Sequence, residues 1–98
     1  MGTEEVEVSP ELQQVLWACY VYWQGEPSPP DKRTIYYGWI AGPYEQKFGA
    51  TFHQTRLRQL VNLGFLERVD VAGVRYRRYY KMVDPDRVAG LLREWDLI

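Results

Sequence analysis

At 98 residues, with 46% apolar and 15% aromatic side chains, the chain has the size of one domain and too many burial-prone residues to be disordered. One cysteine and one histidine exclude an internal disulfide and a Cys/His zinc site. The formal charge of −1 conceals an asymmetry that points to a polyanion-binding middle: residues 1–31 carry six acids and no Lys or Arg, residues 32–81 carry ten bases against three acids, and the last 17 carry four acids against two arginines.

Residues 1–8 read as a flexible acidic arm ahead of a single domain spanning 9–98. The arm has neither the basic leader nor the apolar stretch of a secretion signal, and no run in the chain approaches the roughly 18 apolar residues of a membrane span, so a cytoplasmic protein is expected. Ser9 and Pro10 form a helix start, Ser as N-cap and Pro at the first position, where its missing N–H is not needed. Leu12, Val15, Leu16, Cys19, Tyr20 and Trp23 then follow the spacing of one buried helical stripe. Trp17 and Val21 add a second apolar line, wide enough to meet a second subunit or a neighbouring helix. Cys19 lies on the apolar face, where a buried inert thiol is expected. Gly25 to Pro30 reads as a short stiff linker.

Thr34 to Tyr37 is β-prone, and Tyr36, Ile40, Tyr44 and Phe48 recur every four residues as a helix face does. Gly42 and Pro43 interrupt that pattern, and a kink or break is expected there. Gly49 and Ala50 supply a tight turn. Thr51 to Gln54 has the T-x-x-Q form of a capping box, which opens a third helix over 51–63. Stepping 100° per residue places His53, Leu57, Leu60, Val61 and Gly64 on its inner side, and Thr51, Thr55, Arg58, Gln59 and Asn62 on the outer side. Phe52, Arg56 and Leu63 fall on one flank and Gln54 on the other. The outer side holds hydrogen-bonding residues of the kind that read base edges and no acid, whereas an ordinary solvated face mixes signs. His53, on the inner side, is expected to be partly buried and hydrogen-bonded.

Residues 65–83 read as a hairpin, two strands about an Ala72/Gly73 turn, with Gly73 supplying the positive φ. Alternation along the second strand puts Val74, Tyr76, Arg78, Tyr80 and Met82 on one face and Arg75, Arg77, Tyr79 and Lys81 on the other. Asp84 and Pro85 repeat the cap and first-turn signal of a C-terminal helix over about 85–96, with Val88, Leu91, Leu92 and Trp95 as its stripe. Asp84 and Asp86 are accounted for as cap and dipole partner. No nucleophile sits beside a base in a recognisable motif and no glycine pattern matches a phosphate loop, so neither an enzyme nor a cofactor is expected.

The order of helix, linker, helix, turn, capped helix and basic hairpin, with the junction Leu60, Gly64, Phe65, Leu66 and the late-strand aromatic Tyr80, resembles the winged helix-turn-helix superfamily of small transcriptional regulators. Tyr37-Gly38-Trp39-Ile40 leading to Phe48-Gly49 is similar to the PadR-like members. The likeness covers about residues 10 to 95 and departs from the family at Pro43 and His53. It implies an α+β, mainly helical fold: a three-helix core, a two-stranded β wing and a C-terminal helix. It also implies a sequence-specific double-stranded DNA-binding regulator, homodimeric through its N- and C-terminal helices. The third helix would enter the major groove, with Thr51, Gln54, Thr55, Arg58 and Gln59 as base readers, while Arg56, Arg75, Arg77 and Lys81 would hold phosphates or reach the minor groove. Lys32, Arg33 and Lys47 would add backbone contacts. Two other readings stand beside it: a winged-helix protein-interaction module in a larger assembly, and a single-strand binder stacking bases on Tyr76, Tyr79 and Tyr80.

Overall fold

The computed structural model describes residues 8–71 and 73–98, with the backbone alone at 74–77. Its elements in chain order are α1 (Pro10–Gly25), a 3₁₀ turn (Pro30–Lys32), β1 (Ile35–Tyr36), α2 (Tyr37–Phe48), α3 (Thr55–Asn62), β2 (Leu66–Val71), β3 (Val74–Met82) and α4 (Pro85–Glu94). The chain is thus α+β and mainly helical, as expected. Of the flexible arm expected over 1–8, residues 1–7 lie outside the described residues, and Val8 is buried in the core rather than part of an arm.

Local signals account for the helix ends. The Ser9 hydroxyl accepts the Leu12 N–H at 3.3 Å and Pro10 opens α1. Asp84, at φ 53°, accepts the Arg87 N–H at 3.2 Å and Pro85 opens α4. The junction after α3 is a Schellman motif: Gly64 takes φ 87°, its N–H reaches the Val61 carbonyl, and the Phe65 N–H reaches the Leu60 carbonyl, each at 3.0 Å. That geometry drops Phe65 onto Leu60 inside the core, both fully buried, and aims the chain into β2. The spacing of glycine and aromatic in the sequence is the imprint of this turn.

The core gathers Leu12, Val15, Leu16 and Cys19 of α1, Ile40 and Tyr44 of α2, Leu57 and Leu60 of α3, Ile35, Tyr80 and Met82 of the sheet, and Val88 and Leu92 of α4. Burial holds the Cys19 thiol well above its ordinary range. The apolar stripe of α4 is spent on this core, with Val88 and Leu92 fully buried and Leu91 and Trp95 packed against it. The apolar side chains that stay exposed include Val21 and Trp39 on α1 and α2.

Four expectations are corrected. The sheet has three antiparallel strands in the order β1-β3-β2, not two, because Ile35 and Tyr36 pair with Tyr80 and Tyr79. Of the kink or break expected at Pro43, the break is overturned: helix α2 runs on through Pro43. Ile40 and Tyr44, fully buried on either side, anchor both halves in one core, and the lost hydrogen bond falls on an exposed turn. The third helix begins at Thr55 rather than 51, and no side chain caps it. Phe52 explains this: its ring meets Tyr44 edge-on at 5.4 Å, and its N–H is taken by the Glu45 carboxylate at 2.9 Å, so residues 51–53 are held out of the helix. His53, which precedes the helix, is therefore exposed rather than partly buried.

Candidate nucleic-acid interface

The register of the sheet decides which cations meet α3. Leu66 lies opposite Met82 and Arg68 opposite Tyr80, while Glu67 lies opposite Lys81 and Val69 opposite Tyr79. Partners directly opposite share a face, and residues two apart on a strand share it too. One face of the hairpin therefore runs from the buried Leu66, Met82 and Tyr80 to Arg68 and Arg78. Where the core ends, that face continues past it and meets the outer side of α3.

A trough forms at this meeting. Arg58 of α3, Arg68 of β2 and Arg78 of β3 line a concavity of about 230 Å³ together with Val61 and Tyr80. An adjoining concavity of about 120 Å³ continues it along Gln54, Thr55, Arg58, Arg78 and Tyr80. The three arginines are exposed, no acid is among the described residues lining the trough, and among the described residues none of the three has an ion-pair or hydrogen-bond partner. Three like charges around one concavity repel each other until an anion sits between them. Guanidinium groups present planar, bidentate donors, which suit phosphate oxygens.

The residues expected from sequence divide sharply. Gln54, Thr55 and Arg58 come together in the trough. Thr51 stays exposed ahead of the helix, in a shallow depression with Glu45, Gly49 and Ala50. Gln59 is exposed but belongs to a depression on the α1 side, with Ser9, Leu12, Asn62 and Leu63. Arg56 is engaged within the fold: it pairs with Glu11 of α1 and donates to the Gln59 Oε1 at 3.1 Å, while its Nε is buried without a partner. Lys81 lies on the opposite face of the sheet, where its ammonium donates to the Asp31 carbonyl at 2.7 Å. The side chains of Arg75 and Arg77 lie outside the described residues.

Arg68 and Arg78 are the residues that sequence reasoning left out. Alternation puts Arg78 on one face with Val74, Tyr76, Tyr80 and Met82, where it is the single cation. The signal was its position two residues from Tyr80 on the same face, with Arg68 opposite Tyr80 on the neighbouring strand. Of the other expected cations, Lys32 stays exposed on the 3₁₀ turn, whereas Arg33 and Lys47 are engaged within the fold. The Arg33 guanidinium lies 4.7 Å from the Trp23 ring and donates to the Ser28 and Trp23 carbonyls at 2.7 and 3.1 Å. The Lys47 ammonium lies 4.8 Å from the Trp17 ring.

On the far face of the sheet, Tyr79 packs with Tyr36 at 5.7 Å and with Trp39 at 5.8 Å. Tyr79 and Tyr80 are buried, so both rings are committed to the fold, and Tyr76 lies among the residues whose side chains are not described. Gly38 belongs to this cluster, because a Cβ there would stand 2.6 Å from the Tyr36 ring. Among the described residues no helix is long and apolar enough to cross a membrane, and no group of acids, His and Cys has the makings of a metal site. Comparison with known proteins finds no matching family model, no matching curated protein and no matching solved structure.

Proposed function

We propose that this chain is a winged-helix protein that binds double-stranded DNA in a sequence-specific way, as a transcriptional regulator. The observation that carries the reading is the trough: three guanidinium groups from three separate elements line a concavity free of described acids, beside an exposed helix face that is itself free of acids. In this reading one DNA strand runs between α3 and the hairpin with its phosphates on Arg58, Arg68 and Arg78. Gln54 and Thr55, at the start of α3, reach the base edges of the major groove, and Thr51 and Gln59 flank them. Arg75 and Arg77, near the hairpin turn, extend the contact to further phosphates or the minor groove. Arg56 and Lys81 stabilise the fold and take no part in the contact.

Selection of bound duplexes from a random pool, repeated at two salt concentrations, tests the proposal. Enrichment of a defined site that weakens steeply with salt is the expected result, since log K falls by about 0.9 per phosphate contacted for each unit of log salt. A palindrome among the enriched sites would add a second copy of the chain to the reading. Failure to enrich, or binding without a salt slope, would favour a protein-interaction module.

A further inference from the structure

A cavity lies away from the trough, between α1 and α2. It measures about 470 Å³ and is lined by Trp17, Ala18, Val21, Tyr22, Gly25, Glu26, Pro27, Ile40 and Pro43. That volume falls within the range of about 300–1,000 Å³ in which proteins hold small molecules, and such sites pair an apolar lining with a few placed polar groups. Ile40 and Ala18 are buried beneath it, and Val21 stands exposed at its side.

Its polar end is built rather than incidental. The Tyr22 hydroxyl donates to the Glu26 Oε2 at 3.0 Å, and the Tyr22 ring is itself stacked on Trp39 at 5.4 Å and 22°. Burial first, and then Glu26, push the Tyr22 phenol up to about 12, in keeping with a phenol that donates to the carboxylate. Glu26 is the C-cap of α1, whose last turn has no basic residue, so the carboxylate adds to the negative end of that helix. Among the described residues no Lys or Arg pairs with it, and Glu26 is the only charged group of the described lining. Neither Arg33 nor Lys47 forms an ion pair with Glu26: the Arg33 guanidinium lies over the Trp23 ring and the Lys47 ammonium over the Trp17 ring.

We propose that this cavity binds a small organic cation, its apolar body against Ala18, Val21, Ile40 and Pro43 and its ammonium at the Glu26 carboxylate. The site is independent of the DNA reading. Charge complementarity sets the class of ligand: an anion would meet the Glu26 carboxylate, and a neutral apolar molecule would leave the placed carboxylate unused.

Three probes that share a naphthylmethyl body and differ in the charge of the head group test the proposal on the full chain: 1-naphthylmethylammonium, 1-naphthalenemethanol and 1-naphthaleneacetate. Titration is followed by the indole N–H resonance of Trp17. The ammonium is expected to bind at least about threefold more tightly than the alcohol, and the acetate least, in keeping with a partly exposed ion pair. Glu26→Gln should bring the ammonium to the level of the alcohol and leave the alcohol unchanged. Tyr22→Phe, which keeps the wall but releases the carboxylate, should weaken the ammonium alone. Val21→Trp, at an exposed position, should fill the cavity and remove all binding with an unchanged thermal midpoint. Equal binding of ammonium and alcohol, an unchanged ammonium affinity in Glu26→Gln, or no binding of any probe at millimolar concentration would overturn the proposal. The last result includes a cavity closed by a second copy of the chain.

Discussion

Seven of the ten cations of the middle segment fall into two groups. Arg58, Arg68 and Arg78 stand around the trough between α3 and the hairpin with no partner among the described residues. Arg33, Lys47, Arg56 and Lys81 are bound into the domain, on a Trp23 ring, a Trp17 ring, Glu11 and the Asp31 carbonyl. The sequence counts all of them as equal positive charges. The fold holds four of the expected cations in contacts of its own, and a side chain held on a carbonyl, a carboxylate or an aromatic face, though still charged, is not free to reach a phosphate. Segment charge is therefore a pointer to binding, and engagement within the fold decides which residues can carry it.

The sharpest way to break this comparison is to empty one group and then the other. Replacing Arg58, Arg68 and Arg78 together by Ala should cost about 3 kcal/mol of duplex affinity or more, upwards of a hundredfold, with the thermal midpoint nearly unchanged. Fluorescence anisotropy and a thermal melt read both quantities. Arg33→Met should do the reverse: it loses two carbonyl contacts and a ring contact, lowering stability by about 1–2 kcal/mol while duplex affinity holds. A loss of affinity there equal to that of a trough arginine would erase the distinction between the groups.

Smaller effects sharpen it. Arg56→Ala breaks a half-exposed pair with Glu11 and should destabilise by less than about 1 kcal/mol, without changing the salt dependence of binding. Smallest of all, Cys19 should be silent in both respects. Burial holds the thiol in its protonated form, so a thiol reagent at pH 8 should label it only when the protein is unfolded. Rapid labelling of the folded chain would mean that the core around α1 opens more readily than its packing implies.

How much of this was legible beforehand follows the range of the interactions. The caps at Ser9 and Asp84, the stripe of α1 and the Gly64–Phe65 junction were all readable, because each depends on residues within one helical turn. The start of α3 was misread because T-x-x-Q is a local signal, and here two nonlocal contacts of Phe52, with Tyr44 and Glu45, outweigh it. That shift also removed His53 from the helix on whose inner side it was counted. β1 was β-prone but only two residues long, and its pairing with β3 spans more than forty residues of chain. Arg68 and Arg78 escaped for a related reason. Alternation tells which residues of one strand share a face, but only the register between strands and the placement of α3 show what that face meets.

The claim on which the rest depends is that the arginines of the trough, and not the cations bound into the fold, hold phosphates. The direct test is the salt dependence of duplex binding for the unaltered chain, for Arg68→Ala/Arg78→Ala and for Arg33→Met. The account predicts that the slope of log K against log salt becomes shallower by about 1.8 in the double variant, two phosphates' worth, and is unchanged in Arg33→Met. An unchanged slope in the double variant, or an equal change in both, would contradict it.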